Sequence, residues 1–155
     1  MKTLRMANTD LTALVDDEDW DLVRGESWRC LKNRRDGRAH KFYAQNGQGR
    51  LLHRIILMPD TGVLVDHIDG DGLNCQRHNM RLATRSQNAM NRGPQTGNPS
   101  GYKGVYPQKG GSWVAKYKLN QKSYVVGSFA TAEAAHAALA PVRAAAFGAF
   151  DYAPK

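Results

Sequence analysis

The stretch Val65-Asp66-His67-Ile68-Asp69-Gly70-Asp71-Gly72, resumed at Asn79-Met80-Arg81-Leu82-Ala83-Thr84-Arg85-Ser86-Gln87-Asn88, decides how this chain is read. Val63-Leu64-Val65 has the aliphatic, β-branched character of a strand. The Asp-Gly-Asp-Gly run breaks it with turn residues. Met80 to Ala83 suits a short returning strand. Thr84 stands three residues before Gln87, the spacing of a capping box, so a helix is expected to start at Thr84. Asn88 then lies one turn into that helix, facing back toward the strand end. Strand, loop, strand and helix follow in close succession and gather Asp66, His67, Asn79 and Asn88 near one point.

Those residue types match one chemistry. Hydrolysing a phosphodiester needs an activated water and a cation beside the leaving oxygen. His67, with an ordinary pKa of about 6.5, is suited to take a proton from water. Asp66 offers a hard anionic oxygen and Asn88 a neutral carbonyl oxygen. So few protein ligands leave room for water and a phosphate, as Mg²⁺ prefers, and the cation would stabilise the charge of the phosphorane and the departing oxygen. Asn79 is placed to hydrogen-bond across the loop and fix the backbone carrying His67. A calcium loop opening at Asp69 would need Glu at its twelfth position, where Met80 stands. A merely structural Asp66-His67 turn in a degenerate, inactive chain is the other alternative, although no expected group is missing. His53 has two readings, a satisfied strand histidine or a second-layer group approaching the scissile phosphate. Arg81 and Arg85 suit phosphate clamps or solvated helix-face arginines. His40, His78 and His136 fall outside the pattern and read as surface residues.

The pattern resembles the HNH family of ββα-metal nucleases. Asp66-His67 is followed by Asn79 twelve residues past the histidine and Asn88 nine further on. The last motif residue is Asn, as in the phage and intron-encoded homing subgroup, and His53-Arg54 and the 66–71 and 79–88 stretches agree as well. The resemblance implies His67 as general base, Asp66 and Asn88 as ligands of Mg²⁺ or Mn²⁺, and Asn79 as a brace in the catalytic group.

Working outward, residues 1–49 form an N-terminal β-rich segment supporting the 50–92 module. Thr12-Ala13-Leu14-Val15 reads as a strand ending in a turn, Asp17 to Val23 as one or two helical turns, and the acidic cluster at 16–21 as a solvated turn. Strands are expected near 27–33 and 39–45, joined at the hairpin signal Asp36-Gly37. The basic residues around that turn suit phosphate contact or plain solvation equally. Residues 93–101 are Gly-, Pro-, Asn- and Ser-rich and read as a linker.

Formal net charge is +8, which favours a polyanionic partner. Residues 1–98 hold 15 Lys and Arg against 12 Asp and Glu, whereas 99–155 hold 7 against 2, so the excess is denser toward the C-terminus. Cys30 and Cys75 form no CxxC pair, which disfavours a four-ligand zinc site. No signal peptide or membrane-length apolar run is read, and a cytoplasmic location is expected.

Residues 102–155 read as a three-stranded sheet on one helix. Tyr102 to Pro107 supplies a first strand. In Trp113-Val114-Ala115-Lys116-Tyr117-Lys118-Leu119, one face carries Trp113, Ala115, Tyr117 and Leu119, and the other Val114, Lys116 and Lys118. A tight turn at Asn120-Gln121 leads to Ser123–Gly127, and Thr131 caps an alanine-rich helix. The basic face suits the DNA major groove. Gly101-Tyr102-Lys103-Gly104-Val105, Trp113-Val114-Ala115-Lys116-Tyr117 and Val126–Ala135 resemble the ethylene-response-factor DNA-binding domain of plants, which recurs in HNH homing endonucleases. The resemblance implies DNA contact from Lys103, Tyr106, Gln108, Lys116, Lys118, Ser123 and Val125. Tyr106, Gln108 and Val125 stand where that domain usually has arginines and a tryptophan, so base preference does not carry over. Pro141 falls inside the expected helix.

The expectation is therefore an α+β chain: an N-terminal β-hairpin region, a ββα-metal module, and a three-stranded antiparallel sheet packed on one helix. It would act as a metal-dependent, site-preferring DNA nickase, a monomer on double-stranded DNA with no membrane partner. The rivals are a catalytically inactive DNA-binding protein and a non-specific nuclease.

Overall fold

The computed structural model describes residues 1–33 and 41–152; the expected Asp36-Gly37 turn and His40 lie outside them. The chain is α+β, with four small antiparallel sheets among the described residues and a long C-terminal helix, and it divides into two compact units, Met1–Asn88 and Ala89–Lys155.

In the first unit, β1 (Lys2–Arg5) pairs with β2 (Thr12–Val15), β3 (Trp28–Asn33) with β4 (Lys41–Asn46), and β5 (Leu64–His67) with β6 (Met80–Ala83). A two-stranded sheet is marginal by itself. These three are joined by one shared core that includes Leu4, Val15, Val23, Trp28, Leu52 and Ile56. The buried Trp28 indole donates to the Val23 carbonyl at 3.0 Å, so α1 (Trp20–Val23) is tied to the start of β3. α2 (Leu52–Leu57) lies between β4 and β5 in sequence, and α3 (Arg85–Met90) follows β6.

Three features differ from the reading of the sequence. β1 was not expected: Lys2-Thr3-Leu4-Arg5 has a single large apolar side chain, and it becomes a strand by pairing with β2. His53 is helical rather than in a strand. Leu52, Ile55 and Ile56 occupy one buried face at helical spacing, and a short apolar run does not by periodicity alone decide between the two states. The acidic turn is not merely solvated. Buried Asp19 grips Arg77 through Nε at 2.9 Å and Nη2 at 2.7 Å, while Asp16 accepts from the Arg77 backbone N–H at 2.7 Å and the Gln76 amide at 3.0 Å.

In the second unit β7 (Val105–Pro107), β8 (Trp113–Leu119) and β9 (Lys122–Phe129) form an antiparallel sheet with β8 central, and α4 (Ala132–Phe147) covers one face. The Thr131 hydroxyl accepts the Ala134 N–H at 3.1 Å and caps α4. The small side chains of Ala132 and Ala135 let the helix approach closely, and with Leu139 they pack with Val105 and Ala115. At Gly104 a Cβ would lie 2.5 Å from the Lys116 carbonyl oxygen, so only glycine fits. Asn120 and Gln121 both have positive φ, as the expected tight β8–β9 turn requires. α4 continues through Pro141. The 93–101 stretch makes its own turns, with Ser100 Oγ accepting from the Tyr102 N–H and donating to the Val105 carbonyl. Among the described residues no helix is long and apolar enough to cross a membrane.

Candidate active site

His67 ends β5, opposite Met80 at the start of β6. Only 5% of its surface is exposed. Its imidazole stands edge-on to that of His53, with centroids 5.1 Å apart, and 6.0 Å from the Tyr43 ring, which in turn lies 5.5 Å from His53. Three elements supply this aromatic cluster: β5, α2 and β4. Burial lowers the His67 pKa; Asp69 opposes that shift and Lys41 adds to it. His53 is pushed down to about 3 by burial, with help from His67 and Arg54. Both rings are therefore neutral near pH 7, and the His53 Nδ1 has no hydrogen-bond partner among the described residues. A neutral imidazole is the form that accepts a proton.

The loop between β5 and β6 is pinned at several points. Asn79, buried at its far end, donates to Asp69 Oδ1 at 2.9 Å and to the Asn74 carbonyl at 2.8 Å, and its side-chain oxygen accepts the Asp69 N–H at 3.1 Å. Its carbonyl accepts the Ile68 N–H at 2.8 Å. Asp69 also accepts from Asn74 Nδ2 and from the Asp71 N–H, so this carboxylate organises the turn. Gly72 comes hard against β4: a Cβ there would meet the Phe42 carbonyl oxygen at 2.3 Å and the Tyr43 ring at 2.6 Å. β2 holds the far side, with Leu14 bonded to Leu73 and Cys75 through backbone groups at 2.9 Å. The thiol of fully buried Cys75 reaches within 3.9 Å of His67 Nε2.

Asp66, 3% exposed, faces Arg81 across the strand pair. Arg81 Nε and Nη2 lie 2.8 and 2.7 Å from its Oδ2. The arginine expected to clamp phosphate thus engages the carboxylate expected to hold the cation. Arg85 is exposed on α3. The capping box forms in both directions: Gln87 Oε1 accepts the Thr84 N–H at 2.8 Å and Thr84 Oγ1 accepts the Gln87 N–H at 3.2 Å. Half-buried Asn88 comes one turn into this helix, its N–H bonded to the Thr84 carbonyl at 2.9 Å.

Asp16, Glu18 and Asp19 each bring one oxygen within 4.8 Å of the others, as cation ligands do. The Arg77 guanidinium already pairs with Glu18 and Asp19, so a cation has no need to neutralise them.

In the second unit, strand register places most of the expected contact residues on one sheet face. Tyr106 is opposite Val114, Lys116 opposite Val125, and Lys118 opposite Ser123. The Lys116 ammonium lies 4.9 Å over the Tyr106 ring, and Val125 is 65% exposed. Gln108, just past β7, accepts from Ser112 and Ser128 hydroxyls. Val114 departs from the expected open face in being buried. Lys103 is placed apart from this group. Its ammonium bonds the Met90 carbonyl and lies 5.5 and 5.7 Å from the Phe147 and Tyr152 rings. Burial, reinforced by Arg143, pushes it down to about 8. His136, expected at the surface, is half-buried and stacks on Tyr102 at 4.4 Å.

Tyr43, Cys75 and Arg77 were not legible as parts of this site. Tyr43 and Arg77 are distant in sequence from the residues they contact, and Cys75, eight residues past His67, belongs to no spacing motif.

No curated protein and no solved structure matches the chain. Residues 50–90, from two residues before α2 through the end of α3, match the model of the HNH endonuclease family, and this match makes the chain a phosphodiester-hydrolysing nuclease.

Proposed function

We propose that the chain is a metal-dependent DNA endonuclease of the ββα-metal kind, a site-preferring nickase of the homing type with a tethered reader resembling the ethylene-response-factor domain. The observation that carries this reading is His67: a buried, neutral imidazole at a strand end, beside a loop held by Asn79, inside the matched segment. His67 takes a proton from the attacking water as oxygen bonds to phosphorus and the bond to the leaving oxygen breaks. Asn79 holds the backbone beside that base through its bonds to Asp69 and Asn74.

The donor set fits a hard cation, because Asp66 and Asn88 both present oxygen, as Mg²⁺ and Mn²⁺ prefer. When bound there, the cation supplies charge stabilisation for the phosphorane and the departing oxygen. Arg81 balances the Asp66 charge on the neighbouring strand. On the reader, Tyr106, Gln108, Lys116, Lys118, Ser123 and Val125 meet the DNA, Lys116 and Lys118 through phosphate.

The test is plasmid relaxation with Mg²⁺ or Mn²⁺, wild type beside His67→Ala, with a chelator control. Wild type is expected to convert supercoiled DNA to open circle, and the variant to bind DNA without cutting it. Cleavage by His67→Ala would overturn the assignment of the base. Binding without cleavage by both proteins would favour a DNA-binding role without catalysis.

A further inference from the structure

We propose that Cys75 is a positioning residue for His67, fixing which imidazole nitrogen carries the proton and which receives one from water. The inference rests on the reading of His67 as the base. The Cys75 Sγ lies 3.7 Å from the Gly72 carbonyl oxygen and 3.9 Å from His67 Nε2. A thiol has one proton, and a carbonyl oxygen only accepts. In the proposed arrangement the S–H donates to the Gly72 carbonyl, the nearer of the two groups, and the sulfur lone pairs face Nε2. That nitrogen then carries the ring proton, and Nδ1 keeps the lone pair that takes the proton from water.

Two further features make the arrangement persistent. The backbone of Cys75 is clamped to β2 through the Leu14 carbonyl at 2.9 Å, and Gly72 is locked against Phe42 and Tyr43, so the sulfur has little freedom to move. The rings of His53 and Tyr43 wall the imidazole and restrict its rotation. Burial, with Asp71 and Asp69, raises the thiol to about 12, so it remains protonated and keeps its donor.

The test uses the full chain and reads the tautomer directly, by long-range ¹H–¹⁵N correlation of the imidazoles, with the His67 signals assigned by their loss in His67→Gln. Wild type is expected to show the Nε2–H form. Cys75→Ser, whose hydroxyl also donates and accepts, is expected to keep that form and cleave plasmid within about twofold of wild type. Cys75→Ala is expected to show mixed tautomers and a kcat lower by about five- to tenfold with KM unchanged, the scale of one weak hydrogen bond. An Nδ1–H form in wild type would overturn the proposal, as would equal kcat losses in the serine and alanine variants. The spectrum needs neither metal nor DNA. A protein showing the Nε2–H form that cuts no DNA would sink the nuclease reading alone, and an active enzyme in the Nδ1–H form would sink this inference alone.

Discussion

Arg81 reaches Asp66 through two nitrogens, Nε at 2.8 Å and Nη2 at 2.7 Å, and both land on one carboxylate oxygen, Oδ2. The two residues are direct partners in the β5–β6 pair, so the contact is set by register. A carboxylate only 3% exposed is expensive to leave unpaired. The guanidinium supplies this buried carboxylate with a partner from the neighbouring strand.

Arg81→Gln should therefore lower stability in chelator by about 3 kcal/mol, the scale for breaking a buried pair. If Asp66 is a cation ligand as proposed, Mg²⁺ should recover a larger share of stability in the variant than in wild type, because the cation would then offset part of the lost pairing. Urea unfolding with and without Mg²⁺ measures both quantities. Equal losses under the two conditions would remove Asp66 from the cation site.

Gly72→Ala should destabilise the first unit by about 2–3 kcal/mol, because overpacking here presses on the Phe42 backbone oxygen as well as on a side chain. The expected displacement of Tyr43 would also loosen the wall beside His67. Thermal unfolding gives the first effect. A wild-type melting temperature would mean that the loop and β4 separate easily.

Acid sensitivity should begin with the histidines. His53 has a folded pKa of about 3, against 6.5 for the ordinary side chain, so the unfolded chain binds the proton first as pH falls. Its stabilising contribution is complete above pH 6.5 and is lost progressively down to about pH 3. Over pH 6.5 to 5, before most carboxylates titrate, the loss from this group should be about 2 kcal/mol. His67, also lowered by burial, shifts stability in the same direction. Urea midpoints at pH 7, 6 and 5 should fall steeply in wild type and less steeply in His53→Gln; identical slopes would show that water reaches the His53 ring.

DNA affinity should divide the basic residues of the second unit by face. Lys116→Ala with Lys118→Ala should reduce the slope of log affinity against log salt by about 2, one for each phosphate contact. Lys103→Met should leave that slope unchanged, because its ammonium is turned to the Met90 carbonyl and two aromatic rings. Filter binding across a salt series separates the two results. An Lys103→Met slope as shallow as that of the double variant would place Lys103 on the DNA.

The amino-acid sequence by itself determined what depends on neighbours along the chain. The Thr84–Gln87 capping box, the strand Met80–Ala83, the positive-φ turn at Asn120–Gln121 and the Thr131 cap all follow from residue type and short spacing. Asp66-His67, Asn79 and Asn88 stood out for the same reason, since their chemistry and intervals form a pattern. Tertiary structure alone decided the rest. Lys2–Arg5 became a strand because β2 offered it backbone partners, and 52–57 became a helix because its buried face meets the shared core. Arg77 found Asp19 from 58 residues away. Cys75 came beside His67 because β2 pins the loop that carries it. Lys103 turned inward because Phe147, Tyr152 and the Met90 carbonyl surround its ammonium. Local patterns specify elements, but the environment of a titratable or polar group is set by residues distant in the chain, and that environment determines its charge and its partners.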